Sequence, residues 1–109
     1  MDLFDFNKAL ISHFLDKGCF DWRLHALERA AERGISLDHV METLRQWDVL
    51  ENEHDRKPFP TALIMGWNGQ QPIHVVVAVD EDKEWVYIIT VYEPDLDHFE
   101  PGFRLRKKP

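Results

Sequence analysis

Ile73-His74-Val75-Val76-Val77-Ala78-Val79-Asp80, the charged turn Glu81-Asp82-Lys83-Glu84, and then Trp85-Val86-Tyr87-Ile88-Ile89-Thr90-Val91-Tyr92 form the stretch that decides the fold. Both apolar runs are of strand length and dense in β-branched and aromatic side chains, which suit a pleated, half-buried surface. Four charged residues between them make a turn, so the two runs read as an antiparallel hairpin. Pro94, which has no backbone N–H to give to a ladder, closes it. Thr61 to Trp67, just upstream, reads as a further strand, joined to the hairpin through Asn68-Gly69, a dipeptide suited to a tight turn. Asn52 to Pro60 is polar, carries two prolines, and reads as a loop. Trp47, Val49 and Glu51 alternate with Asp48, Leu50 and Asn52, the pattern of an edge strand.

Before Gln46 the apolar period changes from two to about 3.6. Phe6, Leu10 and Phe14 recur every four residues, with Leu3 and Ile11 beside them, which predicts a helix over Leu3 to Asp16 that Gly18 ends. A second helix is expected from about Trp22 to Arg33, with Asp21 as N-cap and Leu24, Leu27 and Ala31 facing inward. Gly34 stops it, and Ser36 caps a third helix carrying Leu37, Val40, Met41 and Leu44. Helices first and strands last, joined by short turns, give the expected class. It is α+β, with about three N-terminal helices packed on one face of a mainly antiparallel sheet of about four strands. Leu24, Leu27, Val40, Leu44, Val75, Val77 and Ile88 are the expected shared core.

The chain has 109 residues, enough for one hydrophobic core, so residues 1–109 are read as a single domain with a basic tail from Arg104 to Pro109 that frays. The lone Cys19 excludes an internal disulfide and fits a reducing compartment, where it reads as a small buried hydrophobe. No apolar run is long enough to span a bilayer, and the start Met-Asp-Leu-Phe-Asp has no basic leader; the expected location is the cytoplasm. The formal net charge of −7 opposes non-specific binding to nucleic acid.

One helix face carries candidate chemistry. His25, Arg29 and Arg33 stand at i, i+4 and i+8, within an arc of roughly 80° at ~100° per residue. Two guanidiniums and an imidazole on one face can hold a phosphate and move a proton near neutral pH. Glu28 and Glu32 lie on the same helix, so a solvated face laced with salt bridges is the plain alternative. In the sheet, His74 interrupts the most apolar strand, and Thr90 and Tyr92 sit on its expected neighbour. A tyrosine hydroxyl near a histidine suits proton transfer, whereas a hydrogen-bonded structural histidine is the plain alternative. Register decides between the two. If Asp80 pairs with Trp85, His74 lies opposite Val91 and Tyr92 points to the other face; a one-residue slip or a bulge brings His74 and Tyr92 onto one face. No phosphate-binding glycine loop, paired cysteines or metal-ligand spacing is present, so no cofactor or metal is expected.

The run His25-Ala26-Leu27-Glu28-Arg29-Ala30-Ala31-Glu32-Arg33-Gly34-Ile35-Ser36, with Pro72-Ile73-His74-Val75-Val76 and Tyr87-Ile88-Ile89-Thr90-Val91-Tyr92-Glu93-Pro94-Asp95, resembles the two hallmark blocks of the domain of unknown function 4258 family. The likeness spans about Trp22 to Phe99. That family resembles the RelE-like and barnase-like toxin ribonucleases. The resemblance implies a metal-independent endoribonuclease of a toxin–antitoxin pair, or a degenerate relative, with a small zinc-finger antitoxin protein as partner and RNA as substrate. On matching positions it implies His25, Arg29, Arg33, His74, Thr90 and Tyr92 as catalytic candidates. A 2′-hydroxyl would attack the adjacent phosphate while histidine or tyrosine handles protons and arginine stabilises charge. The rival expectation is a non-catalytic module that binds a protein or small ligand.

Overall fold

The computed structural model describes residues 8–43, 48–53, 55–68 and 71–108. Its elements in chain order are α1 (Lys8–Asp16), β1 (Phe20–Trp22), α2 (Leu24–Glu32), α3 (Leu37–Thr43), β2 (Asp48–Glu53), β3 (Thr61–Asn68), β4 (Gln71–Asp80) and β5 (Trp85–Tyr92). The five strands form one sheet in the order β1-β5-β4-β3-β2. Strands β2 to β5 make an antiparallel meander, and β1 runs parallel to β5, with Phe20 opposite Val86 and Trp22 opposite Ile88.

This corrects the expected fold class. Among the described residues the sheet has five strands rather than about four, it is mixed, and strand residues outnumber helical ones. The difference lies in Phe20-Asp21-Trp22. Three alternating residues ahead of a helix are too short a signal to separate a strand from a helix approach. In the structure Asp21 is not a cap: it stands in β1, where its carboxylate accepts a hydrogen bond from the Trp85 indole N–H at 2.9 Å. Helix α2 starts after Arg23, whose side chain makes no cap hydrogen bond. Backbone bonds from Val86 N–H to the Cys19 carbonyl and from Arg23 N–H to the Ile88 carbonyl, both 3.0 Å, continue the β1–β5 ladder at its ends. The expected helical residues Leu3 to Asn7, the core position Leu44, and Trp47 lie outside the described residues.

The strands read from the sequence at Thr61–Trp67, Ile73–Asp80 and Trp85–Tyr92 are present. On one sheet face Ile73, Val75, Val77 and Val79 of β4 join Ala62 and Ile64 of β3 and Val86, Ile88 and Val91 of β5. They pack with Ile11 and Phe14 of α1, Ala26 of α2 and Val40 of α3 in one buried cluster. Val40, Val75, Val77 and Ile88 are thus core, as expected. Helix α2 is not oriented as expected. Ala26 and Ala30 are buried, Leu27 is half-buried, Ala31 is exposed and Leu24 is 70% exposed. The leucines suggest a face rotated by roughly 100°, one residue's turn, from the real one. The two alanines let α2 lie close against β5, so small side chains rather than large ones mark its contact.

The opposite face of the sheet is covered by the chain after Pro94. Asp95 organises a turn, its carboxylate accepting from the backbone N–H groups of Asp97 and His98, both at 3.0 Å. Phe99 then plugs the face at 2% exposure. The segment doubles back on itself through Glu100 N–H to the Leu105 carbonyl and Lys107 N–H to the His98 carbonyl. The tail through Lys107 is therefore folded across the sheet, not frayed as expected, because Phe99 and Arg106 anchor it.

Candidate functional site

The hairpin opens in the simple register, Asp80 opposite Trp85, Val79 opposite Val86, Ala78 opposite Tyr87 and Val77 opposite Ile88. It then skips Ile89: Val76 pairs with Thr90, Val75 with Val91 and His74 with Tyr92. One extra residue on β5 changes the parity of everything beyond it. Val91 therefore stays on the helix face, and Thr90 and Tyr92 share the other face with His74. Of the two registers left open by the sequence, the bulged one is observed.

His74 has no solvent exposure. Its Nε2 lies 2.7 Å from the Phe103 carbonyl oxygen. A carbonyl oxygen only accepts, so Nε2 carries the proton and Nδ1 accepts from the Tyr92 hydroxyl at 3.2 Å. The Arg106 guanidinium lies near the Tyr92 hydroxyl and acts on it electrostatically. Arg106 Nε donates to the Glu51 carboxylate at 2.8 Å. Glu51 reaches this face through a second bulge, between Val49 and Glu51 in β2, which separates Glu51 from the core-facing Val49. The result is a row of polar groups in which the Glu51–Arg106 pair stands beside the hydrogen-bonded Tyr92, His74 and Phe103 carbonyl. Phe99 packs edge-on against the His74 ring with centroids 4.6 Å apart and lies under the Arg106 guanidinium at 5.2 Å.

Burial sets the protonation of this cluster. Loss of solvent holds the His74 pKa below its ordinary 6.5, outweighing the bond to Phe103 that acts the other way. Loss of solvent likewise pushes the Tyr92 phenol above its ordinary 10.0. At neutral pH His74 is thus a neutral imidazole of fixed tautomer and Tyr92 a neutral phenol, beside the Arg106 guanidinium.

Of the six candidates from the sequence, the structure brings His74, Thr90 and Tyr92 together on one sheet face. His25, Arg29 and Arg33 are carried by α2, which packs on the other. There Arg29 Nε donates to His25 Nε2 at 3.4 Å and Arg29 pairs with Glu32 at 3.4 Å. Arg33 Nη1 donates to the Val91 carbonyl at 2.9 Å, satisfying β5 past the end of β1. Glu51 was not singled out from the sequence, and Arg106 stood out only as one of the basic tail residues Arg104, Arg106, Lys107 and Lys108 that could form a local basic patch. Simple alternation puts Glu51 on the same face as Val49, and no local pattern links Arg106 to a residue 55 positions away. Toward the hairpin end of the His74 face, Tyr87 is stacked between Phe59, at 5.7 Å, and the Arg23 guanidinium, at 4.4 Å. An open cleft beside it is lined by Pro58, Phe59, Pro60, Asp80, Glu81 and Asp82.

Among the described residues no group of three or more His, Cys, Asp or Glu is placed to hold a metal ion. No described helix is long and apolar enough to cross a membrane. A family described as domain of unknown function (DUF4258) matches residues 22–93. No curated protein and no solved structure matches the chain.

Proposed function

The chain belongs to the DUF4258 family, and from that premise we propose that it is a toxin-like endoribonuclease, or a degenerate relative of one, whose site is the cluster of Glu51, Arg106, Tyr92 and His74. One observation carries this reading: a carboxylate paired with a guanidinium and a phenol bonded to an imidazole converge in one row on the sheet face away from the helices. Each has a role in cleaving RNA without a metal. The Glu51 carboxylate takes the proton of the 2′-hydroxyl, and that oxygen attacks the adjacent phosphorus. The bond to the 5′ oxygen breaks, and Tyr92, kept protonated by its raised pKa, gives that oxygen a proton. The products are a 2′,3′-cyclic phosphate and a 5′-hydroxyl. Arg106 neutralises charge on the phosphoryl oxygens. His74 is a positioning residue that fixes the Tyr92 hydroxyl, and Thr90 offers a hydroxyl to the neighbouring phosphate or sugar. His25, Arg29 and Arg33, across the sheet, have no part in this site. A cytoplasmic setting and a small zinc-finger antitoxin protein as partner complete the reading.

A second reading, a non-catalytic module that binds a protein or small ligand, is favoured by a different observation. His74 is fully buried with both ring nitrogens occupied, and the chain carries a net charge of −7. The test is incubation of the purified protein with single-stranded RNA in the presence of a chelator. Cleavage is expected, with Arg106→Ala lowering the rate by about 10²–10³, as for loss of one charge-stabilising donor. Tyr92→Phe should lower it as well. Wild-type protein that neither cleaves RNA nor slows growth on induction would establish the binding module instead.

A further inference from the structure

We propose that the C-terminal segment from Asp95 to Lys108 is a strap that a polyanion lifts by drawing its cationic end off Glu51, which uncovers the buried His74 imidazole. The identity of the polyanion as single-stranded RNA rests on the function proposed above; the strap does not.

The segment covers the sheet without joining it. Its hydrogen bonds fall largely within itself: the Asp95 turn, the Glu100–Leu105 and His98–Lys107 backbone bonds, and an isolated bridge between Phe99 and Arg106. Its attachments to the sheet face include the Phe99 ring against His74 and Tyr92, the His74 N–H to the Phe103 carbonyl, Arg106 beside the Tyr92 hydroxyl, and the Arg106–Glu51 pair. The last is half-exposed, with side-chain exposures of 54% and 38%, so water and salt weaken it.

Two further features bias the strap toward release. Phe103, whose carbonyl holds His74, has φ of 61°, the left-handed region that disfavours a residue with a side chain. The end of the strap is Arg104-Leu105-Arg106-Lys107-Lys108, four cations in five residues, in a chain that is acidic overall. Lys107 and Lys108 are exposed, and Leu105 is 69% exposed. A run of phosphates competes directly with the Glu51 carboxylate for Arg106, and the counterions it releases add to the pull. Once the strap lifts, the Phe103 carbonyl and the Phe99 ring leave together. His74 Nε2 then faces solvent beside Tyr92, with the desolvation that suppressed its protonation removed.

The test uses the full chain and a single-stranded oligodeoxynucleotide, which has no 2′-hydroxyl and so cannot be cut by the proposed route. Diethyl pyrocarbonate modification of His74 is followed by mass spectrometry, with exposed His98 as internal reference. Amide exchange of Glu100 and Lys107 is followed in the same samples. With the oligonucleotide about tenfold above its Kd for the opened form, His74 modification should speed up about tenfold. Glu100 and Lys107 should exchange faster while Val75 and Val77 stay protected. Glu51→Gln should raise His74 modification up to about fivefold without any polyanion, the most that an exposed pair contributes. Phe99→Ala should raise it further. The proposal is overturned if His74 stays protected with oligonucleotide and in both variants, or if the strap amides exchange only together with β4. A strap that lifts in a protein that leaves RNA intact sinks the ribonuclease and keeps the strap. RNA cleaved while His74 remains protected does the reverse.

Discussion

The two faces of the sheet are buried by different means. On the helix face Ile73, Val75, Val77 and Val79 meet Ile11, Phe14, Ala26 and Val40 in one buried apolar cluster. On the other face His74 and Tyr92 are covered by Phe99 and a folded-back end of the chain, which carries Arg106 to the half-exposed Glu51. The first face gains free energy from apolar area removed from water, which needs no particular geometry beyond close packing. The second depends on each polar atom finding its partner, and loses much of its value if one is removed. Stability thus resides mainly in the first face and chemical potential in the second, with β4 and β5 belonging to both because their side chains alternate.

Truncation distinguishes the faces most strongly. Ile64→Ala, opposite Val75 on the helix face, should lower unfolding free energy by about 2–5 kcal/mol in chemical denaturation. Phe99→Ala removes a larger side chain, yet it should cost only about 1–2 kcal/mol, because the strap can open locally before the sheet does. Equal losses would erase the distinction between the two faces.

Protonation probes the polar face alone. The His74 pKa is lowered in the folded chain, so the neutral form is favoured there and the unfolded chain binds the extra proton. Stability should therefore be full above the ordinary value of 6.5 and decline as pH falls from there toward the lowered folded value, with a slope of at most about 1.4 kcal/mol per pH unit. Denaturation midpoints between pH 7.5 and 5 measure this, and His74→Gln should flatten that part of the profile. At the other end the raised Tyr92 pKa works in the opposite sense: its contribution is present below 10.0 and is lost as pH rises through the folded value.

The smallest effect belongs to the α2 stripe. Arg29→Ala removes a pair with Glu32 that is half-exposed and 3.4 Å long, worth ~0–1 kcal/mol. RNA cleavage should be unchanged, since Arg29 stands on the far side of the sheet from Tyr92. A rate loss approaching that of Arg106→Ala would move the site to the helix and overturn the assignment of chemistry to the strap face.

Local periodicity was enough to place β3, β4 and β5, the turn between Asp80 and Trp85, and Val40, Val75, Val77 and Ile88 in the core. Each of these is decided within a few residues, since alternation or a 3.6-residue stripe reports which side of a segment is apolar. It was not enough to place β1, whose three residues have no period to read, or to orient α2, where Ala26 and Ala30 make the contact and the larger Leu24 does not. The candidate site was half legible. His74 and Tyr92 stood out as polar groups in apolar runs, but their meeting depends on the Ile89 bulge, and a bulge adds one residue without changing composition. The meeting of Glu51 with Arg106 was invisible for a stronger reason, although Arg106 was legible as part of a basic tail. Their pairing spans 55 positions and exists only because a second bulge turns Glu51 outward while Phe99 anchors the strap that carries Arg106. Segment type follows from neighbours along the chain; parity across strands and the path of a returning tail follow from packing, which only the folded sheet provides.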